Sequence, residues 1–331
     1  VSIGSLTALH TFLEPLDHIF AENGVNEISI NRPGEVWIER RGDMTREIVP
    51  QLTLEHLQSL AHLTAQFTQQ MISSEKPLLS ATLPQGYRIQ VIFPPACDGD
   101  SVIMSIRKQT VIQLSLDEYE RIGAFDTTKT GDGYINQDDE ELSRLLKAGE
   151  VKKFIAAAVK MRKNIIISGG TSTGKTTFLN AALHEIPTDE RIITVEDARE
   201  VMLEHLPNRA HLLASRGGQG RAIVTTQDLI EACLRMRPDR IIVGELRGKE
   251  AFAYLRAINT GHPGSIATLH ADTPKLAIEQ LCMMVLQADL GITRNEIREY
   301  VESVVQIVIQ LKRGAKGRRY VSEIYFKPNQ I

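Results

Sequence analysis

The stretch Asn164–Asn180, NIIISGGTSTGKTTFLN, decides how this chain is read. An apolar run, Ile165-Ile166-Ile167, breaks at Gly169-Gly170, and Phe178-Leu179 resume an apolar pattern. That is strand, tight loop and helix. The loop Gly169-Gly170-Thr171-Ser172-Thr173-Gly174-Lys175-Thr176 satisfies G-x-x-x-x-G-K-[ST] in full. Glycines let the backbone curl so that successive amides point at a phosphate, and the helix behind adds its positive end. Lys175 can reach the β- and γ-phosphates, and the Thr176 hydroxyl can ligate Mg²⁺. A Gly/Thr-rich turn with a stray lysine would need neither flanking element. The stretch is a nucleoside-triphosphate site, with Thr177 completing the residues around the phosphates.

Downstream, Arg191 to Val195 is a buried-type strand ending in Glu196-Asp197, and Ser215 to Arg221 is a Gly-rich loop. Thr226 caps a helix through Met236, and Ile241-Ile242-Val243 is a strand ending in Gly244-Glu245. Residues 250–260, 273–288 and 294–304 read as helices, followed by a strand from Val305 to Gln310 and a basic turn from Lys312 to Arg319. Strands alternating with helices imply a parallel sheet covered on both faces. In such a sheet the chemistry sits at the carboxyl ends of strands. Glu196 and Glu245 both follow strands there, one to orient a metal and one to polarise water; either can take the base role.

Upstream, residues 9–22 form an amphipathic helix, and 27–30 and 36–39 pair across Asn31-Arg32-Pro33-Gly34. Thr53 caps a helix with Leu54, Leu57, Leu60 and Phe67 on one face. Segments 87–93 and 101–107 alternate as strands. Residues 1–107 thus make a smaller α+β domain. Residues 108–150 read as a solvated linker, with a short helix over 114–122. Within it, residues 126–140 resemble a calcium loop, but Thr128 and Thr130 stand where the leading carboxylates belong and Asp139 where a glutamate is wanted, so calcium is not expected. Residues 151–331 form the nucleotide domain.

The 331 residues are 42% hydrophobic and 24% charged, with a net charge of −3. This is an ordinary globular balance and argues against a surface built mainly to grip nucleic acid. Three distant cysteines, Cys97, Cys233 and Cys282, suggest neither disulfides nor zinc and point to a reducing compartment. The first twenty residues do not read as a signal peptide, and no run of 18 apolar residues exists to span a membrane.

The stretches GGTSTGKTT, RIITVEDARE, RMRPDRIIVGELRG and NTGHPGSIATLHA resemble, in this order, the four nucleotide boxes of the hexameric secretion ATPases. NRPGEVW, LPQGYRIQVIFPPAC and SIRK are similar to the front domain of the traffic ATPases of bacterial type IV secretion and conjugation machines. The resemblance implies a RecA-like P-loop ATPase domain, ATP and Mg²⁺ as ligands, and a homohexameric ring. Position by position, it implies Glu245 as the residue polarising water and Glu196 as a partner of Mg²⁺ through water or a sharer of the base role. It implies His270 as a γ-phosphate sensor, and Arg88 and Arg107 as front-domain groups closing over the phosphates. Arg235 and Arg237 would make contacts across a subunit boundary. His262 reads as loop structure. Partners would be membrane-embedded machine components and coupling ATPases, met peripherally at the cytoplasmic face of the inner membrane; direct nucleic-acid binding is left open. The rival readings are a pilus or type II secretion motor and a nucleotide-gated docking platform with incidental hydrolysis.

Overall fold

The computed structural model describes residues 3–108, 114–128, 136–215 and 222–328. Residues 129–135 of the calcium-like loop and the Gly-rich segment from Arg216 to Arg221 lie outside the described residues.

The front domain starts with α1 (Ile3–Leu13), a single 3₁₀ turn carrying Pro15, and α2 (Asp17–Ala21). The expected single helix is broken where proline lacks the N–H a continuous ladder needs. There follow β1 (Val25–Ile30), β2 (Glu35–Arg40), β3 (Asp43–Ile48), α3 (Leu54–Phe67), β4 (Leu78–Thr82), β5 (Arg88–Ile92) and β6 (Ile103–Arg107). They form an antiparallel sheet in the order β3-β2-β1-β6-β5-β4. Strands β3 and β4 were not expected, since the polar DMTREI lies with one face on solvent. Thr53 caps α3 as expected, its hydroxyl accepting from the His56 amide at 3.1 Å.

Next come α4 (Leu116–Arg121), α5 (Gln137–Lys147) and α6 (Val151–Lys160). Here the boundary of the expected linker is corrected. Leu142 and Leu145 of α5 are buried in one core with Phe154 and Ile165, and Asp139 pairs with buried Lys163 at 2.7 Å. Residues 137–147 therefore belong to the nucleotide domain. The carboxylate counted toward a calcium loop is engaged with a lysine.

The nucleotide domain holds β7 (Ile165–Gly169), α7 (Lys175–Leu183), β8 (Ile192–Glu196), β9 (Arg209–Leu213), α8 (Thr226–Cys233), β10 (Arg240–Val243), α9 (Glu250–Asn259), β11 (Ile266–Leu269), α10 (Pro274–Leu286), α11 (Arg294–Val304), β12 (Ile307–Arg313) and β13 (Arg319–Phe326). The strand order is β13-β12-β7-β11-β10-β8-β9, parallel throughout except for β12 against β13. Strands β7, β8, β10 and β11 are buried along their whole length, which is why they read as unbroken Ile/Val runs. The residue capping α8 is Thr225, one position before the expected Thr226. The basic turn after β12 is shorter than expected, because its last residue already begins β13.

The two domains share a core. Ile92, Ala96, Cys97 and Ile103 of the front domain pack in one cluster with Ile193, Val195 and Leu212. The Leu213 amide donates to the Ala96 carbonyl at 2.9 Å, extending the nucleotide sheet by one bridge. Fully buried Arg191 reaches the side-chain oxygens of both Asn31 and Asn208 at 2.7 Å. Arg237 forks onto Glu39 with two contacts of 2.8 Å. Among the described residues, no helix is long and apolar enough to cross a membrane.

Candidate active site

The phosphate loop leaves β7 at Gly169 and enters α7 at Lys175. Two glycines are demanded by shape. A Cβ on Gly169 would lie 2.9 Å from the Leu311 carbonyl oxygen, on the neighbouring strand. Gly174 caps the helix at φ +88°, where its Cβ would meet the Arg319 side chain at 2.8 Å. Thr173 ties the loop to itself through a 2.9 Å bond to the Gly170 carbonyl.

A cavity of ≈ 270 Å³ lies over this loop, walled by residues 172–177, by Glu196 at the end of β8 and Glu200 beyond it, and by Glu245 and Arg247 beyond β10. Arg319 closes one side. Thr171 is exposed and does not line it. Lys175 Nζ donates to the carbonyls of Gly169 at 3.0 Å and Gly170 at 3.2 Å, and lies 3.3 Å from His270 Nδ1. The other ring nitrogen, Nε2, lies 3.0 Å from Glu245 Oε1. Arg247 holds the second Glu245 oxygen at 2.8 Å and also binds Asp197. Four distant segments of sequence therefore meet over the loop.

Two threonine- and glutamine-based braces hold these groups. Thr268 donates to the Gly244 carbonyl at 2.6 Å, fixing the backbone just before Glu245. Ser168 and Gln310 both donate to the Ala271 carbonyl, fixing the backbone just after His270.

The electrostatics separate the two glutamates. Partial burial pushes the Glu245 pKa up, but the bond and charge of Arg247, with His270 and Lys175 behind them, outweigh it and hold the group below the usual carboxylate range. Glu245 stays ionised and faces the cavity. Burial also pulls the Lys175 pKa down, against the pull of Glu245. Glu196 is different. It is 3% exposed, and desolvation raises its pKa against the amides of Glu200 and Val201 and the Thr194 hydroxyl. Those amides donate to Oε1 at 2.9 and 2.8 Å, and Thr194 donates to Oε2 at 3.1 Å. Both oxygens are committed to the protein. Glu196 thus lines the cavity with both oxygens already accepting bonds, and it organises the following loop. That loop delivers Glu200, whose Oε2 accepts from the Thr176 hydroxyl at 3.1 Å. Sequence reasoning missed Glu200, Arg247 and Arg319; the signal for the first was the third acid of VEDARE.

Arg88 and Arg107 lie elsewhere within the single chain. They are cross-strand neighbours on β5 and β6, both exposed. They line a different cleft with Arg235, Arg237 and His262. Arg237 precedes β10 and His262 precedes β11, so this cleft lies at the amino end of the sheet, opposite Lys175. Within one chain they do not touch the phosphate loop. Arg237 is engaged by Glu39 of its own chain, and His262 by the Pro238 carbonyl at 2.7 Å, as loop structure.

The cradle, its lysine, the Thr176–Glu200 pair and an ionised Glu245 fit a nucleotide phosphate with an oxygen-liganded divalent ion. The family described as "Type II/IV secretion system protein" matches residues 138–327. The chain is 38% identical over 323 residues to the type IV secretion system protein VirB11 of Brucella suis biovar 1, covering 96% of this chain and 90% of that one. It is 38% identical over 329 residues to the type IV secretion system protein PtlH of Bordetella pertussis, covering 97% and 94%. Among solved structures, the VirB11 ATPase from the Brucella suis type IV secretion system, in complex with sulphate, superposes with a TM-score of 0.92 at 37% identity, covering 97% of this chain and 98% of that one.

Proposed function

The chain belongs to the type II/IV secretion system protein family, and from that premise we propose that it is the ATPase that energises a type IV secretion machine. The observation that carries the reading is the convergence of Lys175, His270 and Glu245 on one phosphate cradle. Phosphoryl transfer to water needs little covalent help; it needs positioning and charge neutralisation. Lys175 would exchange its two carbonyl partners for phosphate oxygens. Glu245 would orient the attacking water and draw its proton, while His270 links that carboxylate to the lysine beside the terminal phosphate. Mg²⁺, bound with the nucleotide, would neutralise phosphate charge. Thr176 would hold it, with Glu200 beside that hydroxyl and Glu196 keeping the loop in place.

The working form is a ring, proposed as a homohexamer, peripheral to the cytoplasmic face of the inner membrane and engaged with membrane-embedded components. Arg88 and Arg107 support the ring: both stand exposed on one face of the front sheet, and neither forms an ion pair with any described residue. In a ring they would reach the phosphates of a neighbouring subunit. A mixing experiment tests this. Arg107→Ala and Lys175→Ala variants, each inactive alone, should regain Mg²⁺-dependent ATP hydrolysis when co-assembled. Failure of every mixture, with rings visible in particle images, would count against arginines acting between subunits.

A further inference from the structure

The basic turn after β12 sets one further residue at the nucleotide cavity. Within the turn the Gly314 amide donates to the Arg318 carbonyl at 2.7 Å, and Lys316 and Gly317 take left-handed φ values of +57° and +76°. The chain reverses sharply there, and Arg319 opens β13 opposite Arg313 of β12. Its exposed side chain lies against Gly174, the residue before Lys175. A Cβ built on Gly174 would stand 2.8 Å from Arg319 Cδ, 3.5 Å from Nε and 3.7 Å from Nη1. The guanidinium is thus held at the first turn of α7, where the loop amides face phosphate.

Charge is divided across the cavity. Its four acids, Glu196, Asp197, Glu200 and Glu245, end or follow β8 and β10. In the strand order those two strands lie on one side of β7, and β13 lies on the other. Arg247, the other guanidinium of the wall, stands on the acidic flank and is taken by Glu245 and Asp197. Arg319 faces them from across the loop, and its side chain makes no hydrogen bond or ion pair with any described residue. A cation at the positive end of a helix, beside a lysine, has the wrong sign for its place unless an anion lies between them.

We propose that Arg319 grips the α- and β-phosphates of the bound nucleotide, from the flank opposite Glu245 and His270. This rests on the nucleotide reading of the cavity and adds to it a residue from the last strand of the sheet. The two flanks divide the work. Lys175, His270 and Glu245 attend the terminal phosphate and the water, and Arg319 holds the diphosphate that ATP and ADP share. Its planar fork can take two phosphate oxygens at once, which the ammonium of a lysine does not match. A diphosphate seated there supplies the partner that Arg319 lacks and screens it from Lys175 and the helix end. It also gives Gly174 a second reason to lack a side chain, since a Cβ would displace the arginine stem.

The test is displacement of a fluorescent ADP from the full chain in Mg²⁺ by three probes: ADP, a nonhydrolysable ATP analogue and inorganic pyrophosphate. Arg319→Gln should weaken all three by a similar factor, about tenfold or more, as loss of a charge-assisted contact does. Arg319→Lys keeps the charge and should lose less. Undiminished ADP affinity in Arg319→Gln would overturn the proposal. So would a loss confined to the ATP analogue, which would place the guanidinium at the terminal phosphate. A loss for ADP with none for pyrophosphate would place it on the base, and equal losses in the two variants would reduce it to packing on Gly174; either result overturns the assignment. A native chain that bound no ADP, or released none of it to pyrophosphate, would instead overturn the phosphate cradle on which the assignment rests.

Discussion

His270 Nε2 stands 3.0 Å from Glu245 Oε1, although 25 positions separate the two residues in the chain. The ring's other nitrogen faces Lys175 at 3.3 Å. A lysine ammonium can only donate, so Nδ1 is its acceptor and Nε2–H points at the carboxylate. One imidazole thus ties the phosphate-binding cation to the group that would meet water.

Glu245→Gln keeps the shape of that contact and removes the charge. Hydrolysis should fall about 10²–10⁴-fold, the usual worth of a positioned base, while nucleotide affinity changes little. Single-turnover phosphate release beside a binding titration measures both. Unchanged release would move the base role to another acid.

Lys175→Ala removes the side chain that contacts both loop carbonyls and the His270 ring. Turnover should drop by at least about 10²-fold, as for loss of a preorganised electrostatic group. Steady-state hydrolysis checks this, and activity equal to that of the native chain would contradict the assignment of the loop.

The two acids beyond β8 should behave differently. Glu196→Ala leaves the part-buried amide of Glu200 and the buried amide of Val201 without their acceptor, costing about 1–3 kcal/mol for the buried one. Lower Tm and faster amide exchange at 200–202 are expected. Glu200→Gln should leave Tm nearly unchanged and weaken the apparent Mg²⁺ affinity about 10-fold or more, as loss of an outer-shell partner does. If Glu200→Gln left the Mg²⁺ dependence of hydrolysis untouched, the pairing with Thr176 would be merely structural.

Glu27 sets a pH dependence at the domain seam. Desolvation raises its carboxyl from 4.5 to about 8, against the charges of Arg191, Arg107 and Arg237. The folded chain then holds a proton that the unfolded chain releases at lower pH. Stability from this group is greatest below about pH 4.5 and is lost as pH rises through about 8. Glu27→Gln should flatten that fall, gaining about 3–4 kcal/mol relative to the native chain between pH 5 and 8. Denaturant melts across that range decide it; parallel curves for both proteins would show that Glu27 is ionised throughout.

The phosphate loop and the parallel sheet were legible in the sequence because both are local. A glycine that must approach Leu311, a glycine at positive φ, and Ile/Val runs buried on two faces leave contiguous marks, as does an acid placed just after a strand. Glu245 was found in that way, whereas His270 came only from the resemblance of its box. Tertiary structure alone decided which of two neighbouring acids is free. Glu196 has one oxygen taken by amides four and five residues on and the other by Thr194, and Glu200 accepts from the hydroxyl of Thr176. It alone also carried Arg88 and Arg107 to the opposite end of the sheet, and turned α5 from linker into core. The physical reason is common to these cases: a charged side chain is defined by partners that folding brings from elsewhere, whereas a backbone cradle is defined by the residues that build it.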